Sequence, residues 1–456
     1  LNVPAGQTAG YCDVTTPPTG CDQLPRIGSA IPVFKFTPST AGAASLLPDP
    51  LRVAAKWGGF KDKNNNNKPD SAAEWDLDGD GVPDNYFLVQ NPYKLKESLK
   101  KAFEAVLATD SSASNVIANS TSVNSDSRVF QARFSSADWS GDLIAYPFVG
   151  GAISTTEEWN AQALLKDNTK FDFTTRKIHI NGSAGASEFK YSLLSSTDKT
   201  LLGSASVVDF LRGDRTNELT ISGTGVFRKR NPNTVLGDIV HSSPFYEGGS
   251  NVVYVGANDG MLHAFKGSDS GIPGSKGTEV FAFIPREVMS KLQGLSSPAY
   301  DHTYFVDGDI VVSQATAGNG NQNILAASLG RGGRGLFALD VTHPDTFGNS
   351  SFLWEYTPSA DTNAASDNDL GYILGRPNYY KMNNGKYAIV FGNGVNSPGK
   401  KAVLYIIELT STGAIDTVRK IDTGVGTDNG MFAPTGLDTD GNGTVDLLYA
   451  GDLEAN

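Results

Sequence analysis

Residues 438–446, with the sequence DTDGNGTVD, place oxygen-bearing side chains at a spacing that suits a metal ion. The side chains at positions 1, 3, 5 and 9 of this segment are Asp438, Asp440, Asn442 and Asp446. The backbone carbonyl of Thr444 is available at position 7, and Gly443 at position 6 accepts the sharp turn that such a loop needs. Hard oxygen ligands without His or Cys point to calcium rather than to zinc or copper.

Two earlier segments repeat this spacing. In residues 76–84 the candidate ligands at the odd positions are Asp76, Asp78, Asp80, Val82 and Asp84. In residues 62–70 they are Asp62, Asn64, Asn66, Lys68 and Asp70. None of the three segments has the usual Glu at position 12, so the Asp at position 9 must ligate directly. The alternative is a set of turns that only water solvates, but it does not explain why several carboxylates should crowd into one turn.

Arg212-Gly213-Asp214 is the tripeptide that integrins read, and it is a candidate integrin-binding site. A match of three residues is weak, so we favour a structural role for it at a strand-to-turn junction within residues 207–219. No catalytic set is apparent. The five histidines are scattered singly without metal-ligand spacing, and the serine pair of HSSP (241–244) does not lie in a nucleophile elbow.

The predicted secondary structure consists mainly of β-hairpins that recur along the sequence. The clearest is NVVYVGANDGMLHAF (251–265), in which two β-rich runs flank an Asp-Gly turn. Related hairpins have first strands that begin near residues 129, 324, 388 and 447. Small sheets that recur at a spacing above the roughly 40–50 residues of an ordinary blade indicate a β-propeller with long insertions.

We therefore predict an all-β chain, an irregular β-propeller of six or seven blades preceded by a small mixed segment with one helix. The predicted domains are an extended connector (1–54), a calcium-loop and helix segment with a polar linker (55–126), and the propeller (127–456). Apolar residues recur on one face of residues 92–108, which predicts that helix. Shorter helices are predicted at 51–60 and 285–295.

Composition narrows the classes of partner. Lys and Arg total 37 against 49 acidic residues, a net charge of −12, which argues against nucleic acid or an anionic membrane as partner. The chain has no run of 18 apolar residues that would span a membrane. Cys12 and Cys21 flank a gap rich in Pro, Gly and Thr that suits a small disulfide loop in an extracellular protein, the alternative being two free thiols.

Five segments together resemble the signature segments of the PilY family (also PilC), the type IV pilus biogenesis factors and tip-associated adhesins. They are GDIVHSSP (237–244), YVGANDGMLHAF (254–265), GRGGRGLFALDVT (330–342), VFGNGVNS (390–397) and DTDGNGTVDLLYAGDL (438–453). WGGFKD (57–62), EWDLDGDGVPDNYF (74–87) and FLRGDRTNEL (210–219) are similar to the family too, so the resemblance runs in consistent order from about residue 55 to the end. It implies that the chain is a piece of a longer protein that has a von Willebrand A-like domain upstream and is exported through the periplasm to the cell surface or pilus tip.

The resemblance and the calcium loops favour a non-enzymatic, Ca²⁺-binding module that regulates pilus extension and retraction and mediates attachment. The implied partners are minor pilins at the pilus tip and a host receptor or an abiotic surface. The alternative is a quinoprotein (PQQ-type) dehydrogenase, whose propeller repeats also contain Gly-Asp/Asn-Gly-Leu-x-Ala-like strands and whose cofactor is paired with calcium. That class usually has a docking Trp in each repeat, and the five tryptophans here do not follow the repeat. The third hypothesis is a surface protein with a purely structural role.

Overall fold

The computed structural model divides the chain into two units, Leu1–Ser98 and Leu99–Asn456, each described by itself. It describes residues 49–60, 62–64, 66–76, 79, 81–83, 86, 116–118, 128–149, 152–166, 171–220, 223–314, 319–360, 367–425 and 427–454. The predicted 92–108 helix and the predicted Cys12–Cys21 disulfide lie outside these residues. The predicted domain boundaries stay predictions.

The first unit contains helix α1 (Pro50–Gly59), which confirms the helix predicted near residues 51–60. The Asp49 side chain accepts a hydrogen bond from the Leu51 amide at 2.9 Å, and Pro50 occupies the first helical turn, where its missing N–H is not needed. A short 3₁₀ segment, Ala72–Glu74, follows between two of the predicted calcium loops.

In the second unit, the described strands form five sheets that follow one another along the chain. The first sheet contains β1 (Val116–Ala118), β2 (Arg128–Ser135), β3 (Ser140–Val149), β4 (Ala152–Ile153) and β5 (Trp159–Asn160). The second contains β6 (Ile178–Gly182), β7 (Gly185–Glu188), β8 (Phe245–Glu247), β9 (Val252–Gly256), β10 (Leu262–Lys266) and β11 (Glu279–Ile284). The third contains β12 (Ile310–Val312), β13 (Ile324–Ser328), β14 (Leu336–Asp340) and β15 (Phe352–Tyr356). The fourth contains β16 (Asn378–Lys381), β17 (Tyr387–Gly392), β18 (Val403–Leu409) and β19 (Ile415–Asp422), and the fifth contains β20 (Thr435–Leu437) and β21 (Leu447–Tyr449).

Neighbouring strands in these sheets are antiparallel except β6 and β11, which are parallel. The hairpins predicted to begin near residues 129, 252, 324 and 388 are confirmed: β2 pairs with β3, β9 with β10, β13 with β14 and β17 with β18. The predicted insertion is also present, because β6 and β7 extend the second sheet beyond the four-stranded pattern of the third and fourth. The described residues hold five sheets, so the number of blades stays a prediction.

The described helices of the second unit are short and lie between strands. Among the described residues of this unit, the α-helices are α2 (Ala161–Leu164), α3 (Ser196–Leu202), α4 (Ala205–Arg212) and α5 (Met289–Leu292). The 3₁₀ segments in the same residues are Tyr191–Leu193, Arg286–Val288, Gln293–Ser296, Gly330–Gly332, Pro344–Thr346, Asn349–Ser351 and Pro358–Ala360. The helix predicted at 285–295 is confirmed as three consecutive helical segments. No described helix has the length and apolar character to cross a membrane.

Strands in the middle of the stack bury both faces, and alternate residues belong to different cores. In β9, Val253 and Val255 pack with the first sheet, while Val252 and Tyr254 pack with the third. In β13, Leu325 and Ala327 face the second sheet, whereas Ile324 and Ala326 face the fourth. In β17, Ile389 and Phe391 face the third sheet, whereas Ala388 and Val390 face the fifth. Sheets stacked face to face in chain order are the arrangement of propeller blades, so the predicted fold class is confirmed.

Two tryptophans join one sheet to the next. Trp159 Nε1 donates to the Gly267 carbonyl at 2.9 Å, and Trp354 Nε1 donates to the Gly413 carbonyl at 2.8 Å. Both indoles are buried, so each bond also satisfies a polar group inside the core. The tryptophans do not recur in every sheet, but these two do dock neighbouring sheets, a role that the sequence spacing did not predict.

The strand-to-turn junction predicted around residue 212 is wrong, because this segment is helix α4. The Ser204 hydroxyl caps the helix by accepting from the Val207 amide at 3.3 Å. The helix ends at Gly213, whose φ of 124° is available to few residues with a side chain. The apolar run that looked like a strand instead places Val207, Phe210 and neighbouring residues on the buried side of a helix.

Arg212 at the end of α4 is buried, with 2% of its surface exposed. Its guanidinium donates to four carbonyls, those of Phe173 at 2.6 Å, Thr174 at 3.2 Å, Arg176 at 2.8 Å and Phe189 at 2.8 Å. These carbonyls come from two other segments of the chain, so one side chain ties both segments to the helix. The arginine of the tripeptide is therefore a structural anchor.

A buried charge network crosses the second sheet. His263 is fully buried, with Nδ1 2.7 Å from Glu279 Oε1 and Nε2 3.1 Å from both carboxylate oxygens of Asp259. Arg176 donates to Glu279 through Nε at 2.5 Å and Nη2 at 2.7 Å. Burial opposes the charged imidazolium, but Asp259 and Glu279 outweigh it and raise the pKa of His263 to about 9. Burial likewise opposes the Glu279 carboxylate, but Arg176 outweighs it and lowers that pKa to about 2.

The His263 network predicts a loss of stability in alkali. A raised folded-state pKa stabilises the fold fully below the unfolded value of about 6.5 and loses that contribution as pH rises through about 9. The unfolding free energy from urea titration should therefore fall by up to about 3 kcal/mol between pH 6 and pH 10. His263→Gln should remove this component of the pH slope, while the exposed-site variant His343→Gln should keep it. Equal slopes in His263→Gln and wild type would refute the assignment.

The Arg212 anchor predicts a stability effect. Arg212→Ala leaves four carbonyls without this donor and should lower the unfolding free energy by about 3–5 kcal/mol. Lys229→Ala, at an exposed position, is the control and should change it by less than about 0.5 kcal/mol. Urea unfolding followed by tryptophan fluorescence measures both. A loss below 1 kcal/mol for Arg212→Ala would contradict the anchoring role.

Candidate metal centre

The loop 438–446 connects β20 to β21 in an antiparallel hairpin. Thr435 pairs with Tyr449 and Leu437 pairs with Leu447, so the loop closes directly on two paired strands. The sequence predicted that a hairpin's first strand begins near residue 447, whereas in the structure this strand, β21, is the second strand of a hairpin with β20. The hairpin restrains both ends of the loop, and its side chains are thereby held over one turn.

The backbone of this loop curls around Asp438. Asp438 Oδ2 accepts from the Gly443 amide at 2.7 Å, and Oδ1 accepts from the Gly441 amide at 2.7 Å. Gly443 has a φ of 83°, as the pattern predicts for position 6. The N–H of Gly443, assisted by the other loop amides, lowers the pKa of Asp438, so the carboxylate is held ionised.

Three carboxylates converge in this loop. Asp438, Asp440 and Asp446 each offer an oxygen, and these oxygens lie within 4.8 Å of one another. It is the one such group of three or more acidic, His or Cys residues among the described part of the chain. Thr439 donates to Asp446 Oδ2 through its hydroxyl at 2.6 Å and its amide at 2.8 Å, which lowers the pKa of Asp446. Like charges this close favour a cation between them.

The two remaining predicted ligands lie in the same turn. Asn442 Oδ1 accepts from the Thr444 amide at 2.8 Å, and Asn442 Nδ2 donates to Asp440 Oδ2 at 2.9 Å. The structure therefore brings all five predicted residues of the 438–446 loop together. Their oxygen-only chemistry fits a calcium ion.

The 62–70 loop in the first unit has the same backbone pattern. Asp62 Oδ2 accepts from the Asn67 amide at 2.7 Å, which is again the bond from position 6 to position 1. Asn67 has a φ of 59°, a left-handed conformation that asparagine tolerates better than most residues. Asn64 Oδ1 accepts from the Asn66 amide at 3.1 Å, and Asn66 Oδ1 accepts from the Lys68 amide at 2.8 Å.

Position 9 of the 62–70 loop is held by hydrogen bonds, as it is in the 438–446 loop. Asp70 accepts from the side-chain amides of Asn64 at 2.9 Å and Asn66 at 2.6 Å, and these bonds lower its pKa. The two loops differ at position 7, where the 62–70 loop has Lys68 and the other has Thr444. The sequence reasoning also missed Glu74, a buried carboxylate that accepts from the Lys63 amide at 3.1 Å and closes the loop.

Only part of the 76–84 loop belongs to the described residues. Asp76 Oδ2 accepts from the Gly81 amide at 2.9 Å, and Gly81 has a φ of 81°, so position 6 again bonds to position 1. Asp76 is 7% exposed, and its Oδ1 is buried without a hydrogen-bond partner among the described residues. Val82 is described, whereas Asp78, Asp80 and Asp84 lie outside the described part. An orphaned buried carboxylate oxygen fits a ligand that points at a cation.

The tripeptide Arg212-Gly213-Asp214 and the histidines make contacts within the fold. In the Arg212-Gly213-Asp214 tripeptide, Arg212 is buried, and Asp214 Oδ1 accepts from the Thr216 hydroxyl at 2.6 Å. These contacts support the structural role that the sequence favoured. The histidines do not form a metal site among themselves, but two more of them pair with buried aspartates, which sequence spacing did not show. The pairs are His241 with Asp307 at 2.6 Å and His302 with Asp238 at 2.9 Å.

The comparisons with known proteins all return one family. The model of the PilY1 beta-propeller domain matches residues 236–456. A type IV pilus biogenesis factor PilY1 homolog of Xylella fastidiosa (strain Temecula1) is 32% identical over 538 residues, spanning 100% of this chain and 34% of the relative. The type IV pilus biogenesis factor PilY1 of Pseudomonas aeruginosa (strain PAK) is 33% identical over 424 residues, spanning 81% of this chain and 34% of the relative.

The solved C-terminal domain of Pseudomonas aeruginosa PilY1 is 40% identical, with a TM-score of 0.34, and the match covers 44% of this chain and 37% of that one. The chain spans about a third of the length of the curated relatives that it matches. The family model and the curated relatives agree with the signature segments and with the stack of sheets. The chain belongs to the PilY1 family of type IV pilus biogenesis factors.

Proposed function

We propose that this chain is a calcium-binding propeller module of a type IV pilus biogenesis factor. The observation that carries the proposal is the convergence of three carboxylates in the 438–446 hairpin loop, within a region that the PilY1 propeller model covers. Asp438, Asp440, Asn442 and Asp446 would hold the ion through side chains, and Thr444 through its carbonyl. When bound, the ion would supply the positive charge that the loop lacks.

Calcium binding would change the order of the chain locally, at the 438–446 loop and its hairpin. Extracellular modules bind calcium at roughly 10⁻⁴–10⁻³ M, so the site would titrate within the calcium range outside a cell. At free calcium about tenfold above Kd, binding would stabilise the folded state by about 1.4 kcal/mol. That free energy can order one exposed hairpin while the buried sheets stay folded with or without the ion.

The wider role follows from the family. The relatives are named as type IV pilus biogenesis factors, which supports a place for this protein in the pilus machinery. We propose an extracellular or pilus-tip location, contact with minor pilins, regulation of extension and retraction, and attachment to a host or abiotic surface. The acidic balance of the chain, −12, suits an external protein that collects cations. The 62–70 and 76–84 loops are proposed as further calcium sites.

A quinoprotein dehydrogenase is the second candidate, and one observation favours it. Trp159 and Trp354 dock neighbouring sheets, as tryptophans of that class do. The relatives are named as pilus biogenesis factors, and their alignments cover most of this chain, which favours the first proposal more strongly. Quinone absorbance in the purified protein would support the second candidate.

Asp446→Ala tests the calcium site directly. Position 9 has no substitute in this loop, so the variant should bind one calcium ion fewer than wild type in isothermal titration calorimetry. Asp428→Ala removes an exposed carboxylate outside the loop and should keep the wild-type stoichiometry. An unchanged stoichiometry in Asp446→Ala would mean that the loop is only a turn.

The same substitution in the full-length protein of the source bacterium tests the biological role. If calcium at this loop regulates the pilus, Asp446→Ala cells should show surface piliation and twitching that no longer respond to added calcium or chelator. Asp428→Ala cells should respond like wild type. A calcium response that persists in Asp446→Ala cells, with the protein at normal abundance, would contradict the regulatory role.

A further inference from the structure

The calcium loop touches a second turn that the nine-residue motif does not include. Residues 382–386 connect β16 to β17 in the fourth sheet, and this turn lies beside the loop of the fifth sheet. The Val445 amide donates to the Lys381 carbonyl at 2.9 Å, and Val445 forms a parallel bridge with Met382. The backbone of the loop is therefore fastened to the neighbouring sheet at its eighth position.

Asn383 in that turn reaches two of the loop residues. Its Nδ2 donates to Asp446 Oδ1 at 3.2 Å, and its Oδ1 accepts from the Thr444 hydroxyl at 2.5 Å. The other carboxylate oxygen of Asp446 is already held by Thr439. Asp446 is thus oriented from two sides, by its own loop and by the neighbouring sheet.

We infer that Asn383 is the positioning residue of the 438–446 site and sets its calcium affinity. The inference rests on the proposed calcium site. Three carboxylates within 4.8 Å repel one another, so Asp446 would turn away from the cluster unless hydrogen bonds hold it. Groups that orient a ligand in this way change metal affinity by roughly 10–100-fold. Because coupling is reciprocal, bound calcium also orders the 382–386 turn of the fourth sheet.

The chain offers a matched control one residue away. Asn384 occupies the same turn and is also exposed, but its Nδ2 donates to Glu408 Oε1 at 3.0 Å rather than to the loop. Glu408 belongs to β18 and also binds Arg419 Nε at 3.0 Å. Substituting Asn384 therefore perturbs the turn and the fourth sheet without touching the candidate ligands.

The experiment is calcium titration calorimetry of wild type, Asn383→Ala and Asn384→Ala with CaCl₂ alone, beside the melting temperature of each without calcium. Asn383→Ala should keep the stoichiometry and raise the Kd of one site about tenfold. Asn384→Ala should leave every Kd unchanged. Thr444→Val, which keeps the carbonyl but removes the hydroxyl that bonds to Asn383 and to Asn442, should also weaken that site. Hydrogen exchange should show that calcium protects the 382–386 turn in wild type and not in Asn383→Ala.

The outcomes separate the inference from the site on which it rests. If wild type and Asp446→Ala bind the same number of calcium ions, the proposed 438–446 site does not exist. Wild type that binds one ion more than Asp446→Ala, with an unchanged Kd in Asn383→Ala, would overturn the role of Asn383 and leave the site standing. A lower melting temperature without a change in Kd would reduce Asn383 to a structural contact, and it would overturn the inference equally.

Discussion

Burial of both faces of the central strands is the constraint on which the rest of the second unit depends. Val253 and Tyr254 are consecutive residues of β9, yet they lie in two different cores. A strand in this position has no face left for solvent or for polar chemistry. The candidate metal centre accordingly lies in an exposed turn rather than on such a strand. The two-faced packing also makes each sheet depend on its neighbours, because a lone sheet would expose an apolar face.

The second sheet holds four charged residues as one closed set. His263, Glu279, Arg176 and Asp259 neutralise one another inside the core, and every one of them belongs to a different local element or turn. A buried charge without such partners would destabilise the fold by several kcal/mol. The signature segment GANDGMLHAF carries two of the four groups, which explains in physical terms why its Asp and His occur together: the aspartate of the turn meets the histidine of the following strand.

Local patterns predicted much of the fold, and long-range contacts account for what they missed. The first strands near 252, 324 and 388 and the 438–446 loop were predicted because turn chemistry and alternation are local properties. Helix α4 was misjudged, since VVDFLR is a short apolar run in which helix and strand look alike; Ser204 and Gly213 were the capping signals that could have decided it. Asn383 lies more than fifty residues before the loop that it contacts, so no spacing rule could reveal it. The docking of Trp159 and Trp354 depends in the same way on neighbours distant in the chain.

The two indole bonds have a consequence for a protein under tension. A meander pulled from its ends peels strand by strand, because the ladder hydrogen bonds break in succession. Trp159 and Trp354 each fasten one sheet to the backbone of the next, at Gly267 and Gly413. Peeling a strand that carries such an indole also breaks its hydrogen bond to the following sheet and leaves a carbonyl there without its donor. Loss of one sheet is thereby felt by its neighbour at these two points.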